Sequence, residues 1–373
     1  MAFVPDPMPA DLPLSSAAIR VLSEADFALG RLTGASGRLV NPYLIGQPLL
    51  RREAILSSRI EGTFTTPEQL ALLEAGVPGA DEPAAQDTRE VLNYIRSMER
   101  GLELLKTMPI SLRLVRELHG VLLEGVRGGR DRPGEFRTVQ NYIGSTNAPI
   151  ASARFVPPPV REMTDALRRW ESDLHLASDP LPPLVRLAVA HYQFEAIHPF
   201  RDGNGRIGRL LIPLLLCERD RLTAPLLFMS AYFDKYRDAY VDGLLRVSTH
   251  GDWEGWLTYF LQGVATCARE SLTLAEDLIT LRDRYHQAVR SARSSSLLGT
   301  LIDALFRVPT LTISQAAKLT SVTPASASSN LQKLVELGIV AEMTGRQRGQ
   351  VFMAHQILSF VGRDLGASEA PKR

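Results

Sequence analysis

His198-Pro199-Phe200-Arg201-Asp202-Gly203-Asn204-Gly205-Arg206-Ile207-Gly208-Arg209 decides the reading of this chain. Just before it, Pro183 to Ile197 carries Leu184, Leu187, Ala188, Phe194 and Ile197 at helical spacing and reads as a helix. Proline disfavours α geometry in the residue that precedes it, so Pro199 places His198 just past the helix end. Gly203, Asn204 and Gly205 make a tight turn. Arg206 to Cys217 is apolar enough for a second, buried helix. The first-turn N–H groups of a helix lack intrahelical acceptors, so the loop entering it is a natural seat for an anion.

The residue types point to phosphate chemistry. Arg206 and Arg209 are three apart and share a face near the helix start. Guanidinium forks suit phosphate oxygens. Asp202 beside a phosphate is repulsive unless a cation lies between them, which argues for Mg²⁺. His198 is then the natural general base for an incoming hydroxyl. A lone Asp-Gly-Asn-Gly is more often a plain turn or part of a calcium loop. Calcium needs further acidic ligands at alternating positions, and Gly203, Gly205 and Ile207 offer no side-chain oxygens.

These residues resemble the signature of Fic-domain proteins, His-Pro-Phe-x-(Asp/Glu)-Gly-Asn-Gly-Arg-x-x-Arg, with no departure. Most members of that family transfer the AMP moiety of ATP to a hydroxyl side chain of a target protein and release pyrophosphate. The resemblance implies His198 as general base, Asp202 on Mg²⁺, and Gly203, Asn204 and Gly205 as the anion nest. It implies Arg206 and Arg209 on the β- and γ-phosphates, with Ile207 and Gly208 inside the same nucleotide-binding run, and Phe200 as a buried anchor. An Arg-x-x-Tyr-Tyr pattern follows the signature in the family. Here Arg237 and Tyr240 match, while Val241 replaces the second tyrosine. The resemblance places Tyr240 against the nucleotide base; a core aromatic is the competing reading.

Two further stretches fit the same family. Ser57-Ser58-Arg59-Ile60-Glu61-Gly62 matches the inhibitory pattern (Ser/Thr)-x-x-x-Glu-(Gly/Asn) of autoinhibited Fic proteins. Pro48 to Ile60 reads as a helix, Ser57 and Glu61 lie four apart on one face, and Gly62 ends the helix. A carboxylate delivered to Arg209 would occupy the guanidinium that the γ-phosphate needs. Arg137 to Gly144 and Ala153 to Pro159 read as two short extended segments, with Val139, Asn141 and Ile143 alternating. In Fic proteins this is the flap, a hairpin whose edge can register an extended target segment.

Composition sets the frame. The chain has 373 residues, 45% hydrophobic content and a formal net charge of +1, which argues for neither a nucleic-acid tail nor membrane attraction. The two cysteines, Cys217 and Cys267, lie in apolar helical segments and read as core thiols of a protein of the reducing cytosol. The proline-rich start lacks the regions of a signal peptide.

The fold class expected is mainly α: a Fic-type helical bundle with a β-hairpin flap, plus a C-terminal winged-helix domain. Residues 1–86 are read as N-terminal arm and inhibitory-helix region, 87–290 as Fic core, and 291–373 as winged-helix-like. In that last region Ser314 to Thr320 and Thr323 to Leu337 have helix-turn-helix spacing. Gly338 to Glu342 and Val351 to Ala354 are expected as wing strands, and Gly345 to Gly349, with Arg346 and Arg348, as the wing tip. The exposed face of the second helix is expected to carry Ser326, Ser328, Ser329, Asn330 and Lys333, polar and only mildly basic.

Two function classes follow. The first is a cytoplasmic protein adenylyltransferase that uses ATP and Mg²⁺. It acts on a Tyr, Ser or Thr hydroxyl of a target docked at the flap, or on itself; it is autoinhibited by Glu61, forms a homodimer, and removes AMP in the reverse sense. The second is a Fic-derived transcriptional regulator that binds DNA through its C-terminal region.

Overall fold

A computed structural model of the chain describes residues 2–37, 41–76, 83–127, 132–144, 149–176, 180–290, 295–346, 348–363 and 365. It is mainly helical, as expected. In chain order the elements are α1 (Ser16–Ser36), α2 (Pro42–Ile60), α3 (Pro67–Glu74), α4 (Pro83–Leu104), α5 (Leu112–Leu122), α6 (Val160–Leu174), α7 (Pro183–Ile197), α8 (Asn204–Glu218), α9 (Ser230–Lys235), α10 (Arg237–His250) and α11 (Trp253–Val289). There follow α12 (Ser295–Arg307), β1 (Thr310–Thr312), α13 (Ile313–Thr320), α14 (Pro324–Glu336), β2 (Ala341–Glu342), β3 (Val351–Met353) and α15 (His355–Val361). Among the described residues no helix is long and apolar enough to cross a membrane. Of the expected connectors, residues 77–82, 128–131 and 291–294 lie outside the described residues, as does Gln347 of the expected wing tip.

The chain forms two compact units. One comprises Met1–Gly34 with Asn93–Arg269, the other Ala35–Leu92 with Glu270–Arg373. The sequence reading places divisions after residues 86 and 290; the boundaries of the compact units fall inside α1, α4 and α11.

The first unit is built around α7. Leu184 to Ile197 are buried on every side of that helix, the signature of a central rather than a surface helix. Pro183 opens it at the first helical position, where the missing N–H costs nothing. Trp170 of α6 donates its indole N–H to Ala190 O at 3.0 Å, and Trp256 of α11 donates to Ala188 O at 3.0 Å. Both indoles thus have the partner that a buried polar atom needs. Cys217 and Cys267 are free thiols, and burial pushes the Cys217 thiol up to about 12.

In the second unit, α2, α12 and the C-terminal elements share one core. Leu44 and Ile45 of α2 join Leu298, Leu301, Phe306, Leu331, Phe352 and Ile357 there. Three strands pair antiparallel in the order β1-β3-β2, with Thr310 and Ala341 both opposite Met353. Thr312 caps α13 in a capping box with Gln315. Ser321 turns the chain at φ +54°. Thr323 caps α14 through Ser326 N, with Pro324 at its start, as the sequence implies. Asn330 departs from expectation: it is 3% exposed, so it belongs to the inner face of α14 and not to a polar outer face.

Candidate functional site

α7 ends where the sequence places its end. His198 is its C-cap at φ +49°, ψ +61°, a left-handed conformation uncommon for a residue with a side chain. Its N–H still donates to Phe194 O at 3.1 Å. The ring Nδ1 lies 3.3 Å from Glu195 O. A proton on Nδ1 satisfies that carbonyl and leaves Nε2 as the basic nitrogen.

The loop beyond is braced from inside. Phe200 is fully buried. Its ring stacks on His119 of α5 with centroids 3.7 Å apart and planes 3° from parallel. Asn204 Oδ1 accepts from Phe200 N at 2.8 Å, and Asn204 Nδ2 donates to Phe200 O at 2.9 Å. His119 Nδ1 accepts from Gly134 N at 2.9 Å, which makes Nε2 the protonated nitrogen donating to Asp202 O at 3.0 Å. Burial pulls the His119 pKa down to about 4, so this ring is a neutral strut.

Gly203 enters α8 at φ +78°. A Cβ there would lie 3.3 Å from Leu122 Cδ2, so both the backbone angle and the close neighbour favour glycine. Its N–H donates to Asp202 Oδ1 at 2.7 Å. A helix start leaves its first amides without intrahelical acceptors, here those of Asn204, Gly205 and Arg206. Arg206 and Arg209 are each 2% exposed. The Asp202 side chain is 47% exposed, with Arg206 Nη2 3.4 Å from Oδ1. Three open amides, two guanidinium side chains, one carboxylate and one imidazole therefore belong to one stretch, the loop after α7 and the first two turns of α8.

Beside this turn, Ile143 and Phe155 form an antiparallel bridge through Ile143 N to Phe155 O at 2.8 Å and Phe155 N to Ile143 O at 3.1 Å. Phe3 of the N-terminal arm donates its N–H to Val156 O at 2.8 Å. A mainly apolar pocket lies among this hairpin, α7 and α10, lined by Ile143, Phe155, Tyr192, Val241 and Leu244, with Arg154, Glu195 and Ser248 as its polar lining.

Two family models match the chain: one described as Fic/DOC family, N-terminal, over residues 19–103, and one described as Fic/DOC family over residues 109–216. The chain belongs to the Fic/DOC family. The Fic model takes in the whole motif from His198 to Arg209 together with the flap hairpin. Among curated relatives, the chain is 28% identical over 221 residues to proteins named protein adenylyltransferase Fic of Drosophila grimshawi and of Drosophila melanogaster. The match takes 58% of this chain and 40% of each relative, so the chain spans about two fifths of the length of those proteins. A solved Fic family protein from Desulfovibrio desulfuricans shares the fold at a TM-score of 0.60 and 19% identity, covering 94% of this chain and 98% of that one. A Fic domain-containing signaling protein from Bacteroides thetaiotaomicron does so at 0.52 and 20%, covering 70% of this chain and 95% of that one.

Four residues expected at the nucleotide, Asn204, Ile207, Gly208 and Tyr240, also make contacts within the fold. The Asn204 side chain is committed to the Phe200 backbone, so it braces the loop and leaves only its amide for an anion. Ile207 N–H donates to Gly203 O at 3.0 Å inside α8, because only the first turn has open amides. Gly208 is a packing glycine: a Cβ there would stand 2.1 Å from Glu195 Oε1. Tyr240 is 4% exposed, stacks on Phe233 at 4.4 Å, and has its hydroxyl 2.9 Å from His191 Nε2. That is the core-aromatic reading. His191 Nδ1 lies 3.2 Å from Gly208 O, and burial lowers its pKa to about 3.

In the other unit, Ser57 is fully buried and Glu61 is exposed at the C-cap of α2. Gly62 stands at φ +83°, with Gly62 N to Arg59 O and Thr63 N to Ser58 O both at 3.0 Å. This is a Schellman cap. It explains physically why Gly or Asn follows the glutamate in the pattern. Sequence reading missed the pocket side chains Tyr192, Leu244 and Ser248; helical spacing puts the last two on one face of α10, but only the fold brings that face to the flap.

Proposed function

We propose that this protein transfers AMP from ATP to a Tyr, Ser or Thr hydroxyl of a protein. The observation that carries the reading is the turn itself: an imidazole held past the end of α7 beside the open amides of α8. The triphosphate lies on the amides of Asn204, Gly205 and Arg206, with Arg206 and Arg209 on its outer phosphates. The base takes the apolar pocket lined by Val241 and Leu244. The target hydroxyl gives its proton to His198 Nε2 while its oxygen forms a bond to the α-phosphorus. The bond from that phosphorus to the bridging oxygen breaks, and pyrophosphate leaves with its electron pair. The two arginines and the amides favour the charge that develops there.

Among the described residues there is no group of three or more His, Cys, Asp or Glu able to hold a metal. Mg²⁺ is content with one or two carboxylates plus substrate phosphates, so the half-exposed Asp202 fits it. When bound, it would neutralise phosphate charge. The flap edge docks the target, and one such target is a second copy of this chain, as a homodimer in the cytoplasm would allow. Glu61 restrains transfer by competing for Arg209, and the same carboxylate serves AMP removal by orienting water.

Intact-mass spectrometry of the full chain and candidate proteins with ATP and Mg²⁺ tests this. A mass gain of one AMP supports the reading; gain of phosphate alone, or of UMP from UTP only, replaces it with another transfer. Retention on DNA with no transfer to any protein would favour the regulator, for which the helix pair α13 and α14 is the feature to examine.

A further inference from the structure

Arg137, at the root of the flap, is 2% exposed. Its hydrogen-bond partners among the described residues are all backbone carbonyls. Nε donates to His198 O at 3.0 Å, Nη1 to Val139 O at 3.3 Å, and Nη2 to Pro158 O. Its own N–H donates to Pro199 O at 2.9 Å. Four residues on, Asn141 Nδ2 donates to Phe200 O at 2.9 Å and approaches His198 O at 3.5 Å. The carbonyls of His198, Pro199 and Phe200 thus all accept from the flap root.

A buried guanidinium without a carboxylate is expensive, and neutral carbonyls offset only part of the cost. Desolvation lowers the Arg137 pKa to about 10. The bonds converge where the backbone is strained. His198 holds φ +49°, which a residue with a Cβ keeps only when its surroundings enforce it. Val139 and Pro158 flank the hairpin on its two sides, so one guanidinium ties both to the carbonyl of the motif histidine.

From this convergence we infer that Arg137 and Asn141 are positioning residues: they hold the His198 backbone in the conformation that aims its ring, and they couple that aim to the seating of the flap. The inference rests on His198 being the base for transfer. Neither residue has a hydrogen bond to the open amides or the arginines of α8. Asn141 shares the Phe200 carbonyl with Asn204 Nδ2, and that carbonyl keeps Asn204 when Asn141 is removed, so the variants are expected to spare the nucleotide seat.

The test compares Arg137→Lys, Arg137→Ala and Asn141→Ala with wild type, using full-length protein, ATP and Mg²⁺. Loss of aim by an ångström costs about 10²-fold, so kcat for Arg137→Ala is expected to fall by about that factor while the KM for ATP stays within about twofold. Arg137→Lys, whose donors all sit on one nitrogen instead of a planar fork, is expected to fall between the two. Added guanidinium ion is expected to restore part of the Arg137→Ala rate, and urea is not. Asn141→Ala, a milder change that guards against misfolding of the arginine variants, is expected to show the same split. Parallel loss of kcat and ATP affinity in both residues' variants, or an unchanged kcat, overturns the inference. A readout independent of transfer is the nitrogen NMR signal of the His198 ring. It should shift in Asn141→Ala while that of the exposed His250 stays. Wild-type protein inert towards ATP would sink the transfer reading alone, and an unmoved His198 signal would sink this one.

Discussion

The Asn204 side chain closes on the backbone of Phe200 in both directions, Oδ1 accepting at 2.8 Å and Nδ2 donating at 2.9 Å. This reciprocal pair shapes the loop ahead of α8. Asn204→Ala leaves the buried Phe200 N–H without its partner, at a cost of about 1–3 kcal/mol, while the Phe200 carbonyl keeps Asn141 Nδ2. Asn204→Asp keeps the acceptor and loses the donor, so it should lie between. Thermal melts should rank wild type above Asn204→Asp above Asn204→Ala. Equal midpoints would mean that the loop needs no such brace.

Gly208 is held against Glu195 of α7, where a Cβ would stand 2.1 Å from Oε1. Gly208→Ala should therefore push the carboxylate aside and destabilise by about 1–3 kcal/mol, the usual cost of overpacking. Glu195→Ala removes the obstacle. The double variant should then lose less than the two single variants together, with a coupling of about 0.5–3 kcal/mol in urea unfolding. Strict additivity would remove Glu195 as the reason for the glycine.

His119 adds an acid sensitivity whose sign is fixed. Its pKa is about 4 in the folded chain against 6.5 for an ordinary histidine. Between those values the unfolded chain binds a proton that the folded chain does not. Stability is therefore complete above 6.5 and falls as pH drops towards 4, by at most about 3 kcal/mol for this group. Buried His191 acts in the same direction. His119→Gln should flatten the dependence of unfolding free energy on pH across that window. A slope equal to that of wild type would show that the ring titrates normally in the fold.

Much of this was legible in the sequence because prolines and glycines punctuate it. Pro183 and Pro199 bound α7, and Gly203 marks the entry to α8. The capped helix α14 likewise announces itself through Thr323 and Pro324, whereas the Thr312 cap of α13 became evident only in the structure. Other elements left no trace of that kind. β1 is only Thr310–Thr312, too short for alternation to register, and its partner β3 lies far along the chain. α15 is one short run after β3 with no side-chain cap. At the site, residue type and chemical role came apart where a side chain could serve either ligand or scaffold. Asn204 and Tyr240 have the right chemistry for a nucleotide, yet the fold uses both side chains internally. Arg137 shows the reverse. Nothing in its local pattern distinguishes it from a surface arginine, and only the convergence of distant carbonyls reveals what it holds.

His198→Ala should lower AMP transfer by about 10²–10⁴-fold, the usual worth of a positioned base, while ATP binding by calorimetry changes little. Asp202→Ala should instead weaken the response to Mg²⁺, because the carboxylate that would hold the metal beside the phosphates is lost. Full transfer by His198→Ala would remove the imidazole from the chemistry. Equal rates for wild type in chelator and in Mg²⁺ would remove Asp202 from a metal role.

Glu61 sits at the C-cap of α2, exposed, and its place in the chain is set by the Schellman cap at Gly62. If its carboxylate competes with the γ-phosphate for Arg209, Glu61→Gly should raise transfer, self-modification included. The gain should depend on Arg209, so Glu61→Gly with Arg209→Ala should lose most of it. AMP removal should move the opposite way, since a carboxylate is then needed to orient water. The cap supplies an internal control. Gly62→Ala strains a residue at φ +83° and should loosen the end of α2 by about 1 kcal/mol, which would release part of the restraint with Glu61 still present. Gly62→Asn tolerates that angle better and should stay nearer wild type. Initial rates of AMP incorporation at saturating ATP and Mg²⁺ decide the matter. Rates the same for wild type and Glu61→Gly would show that α2 is scaffold alone.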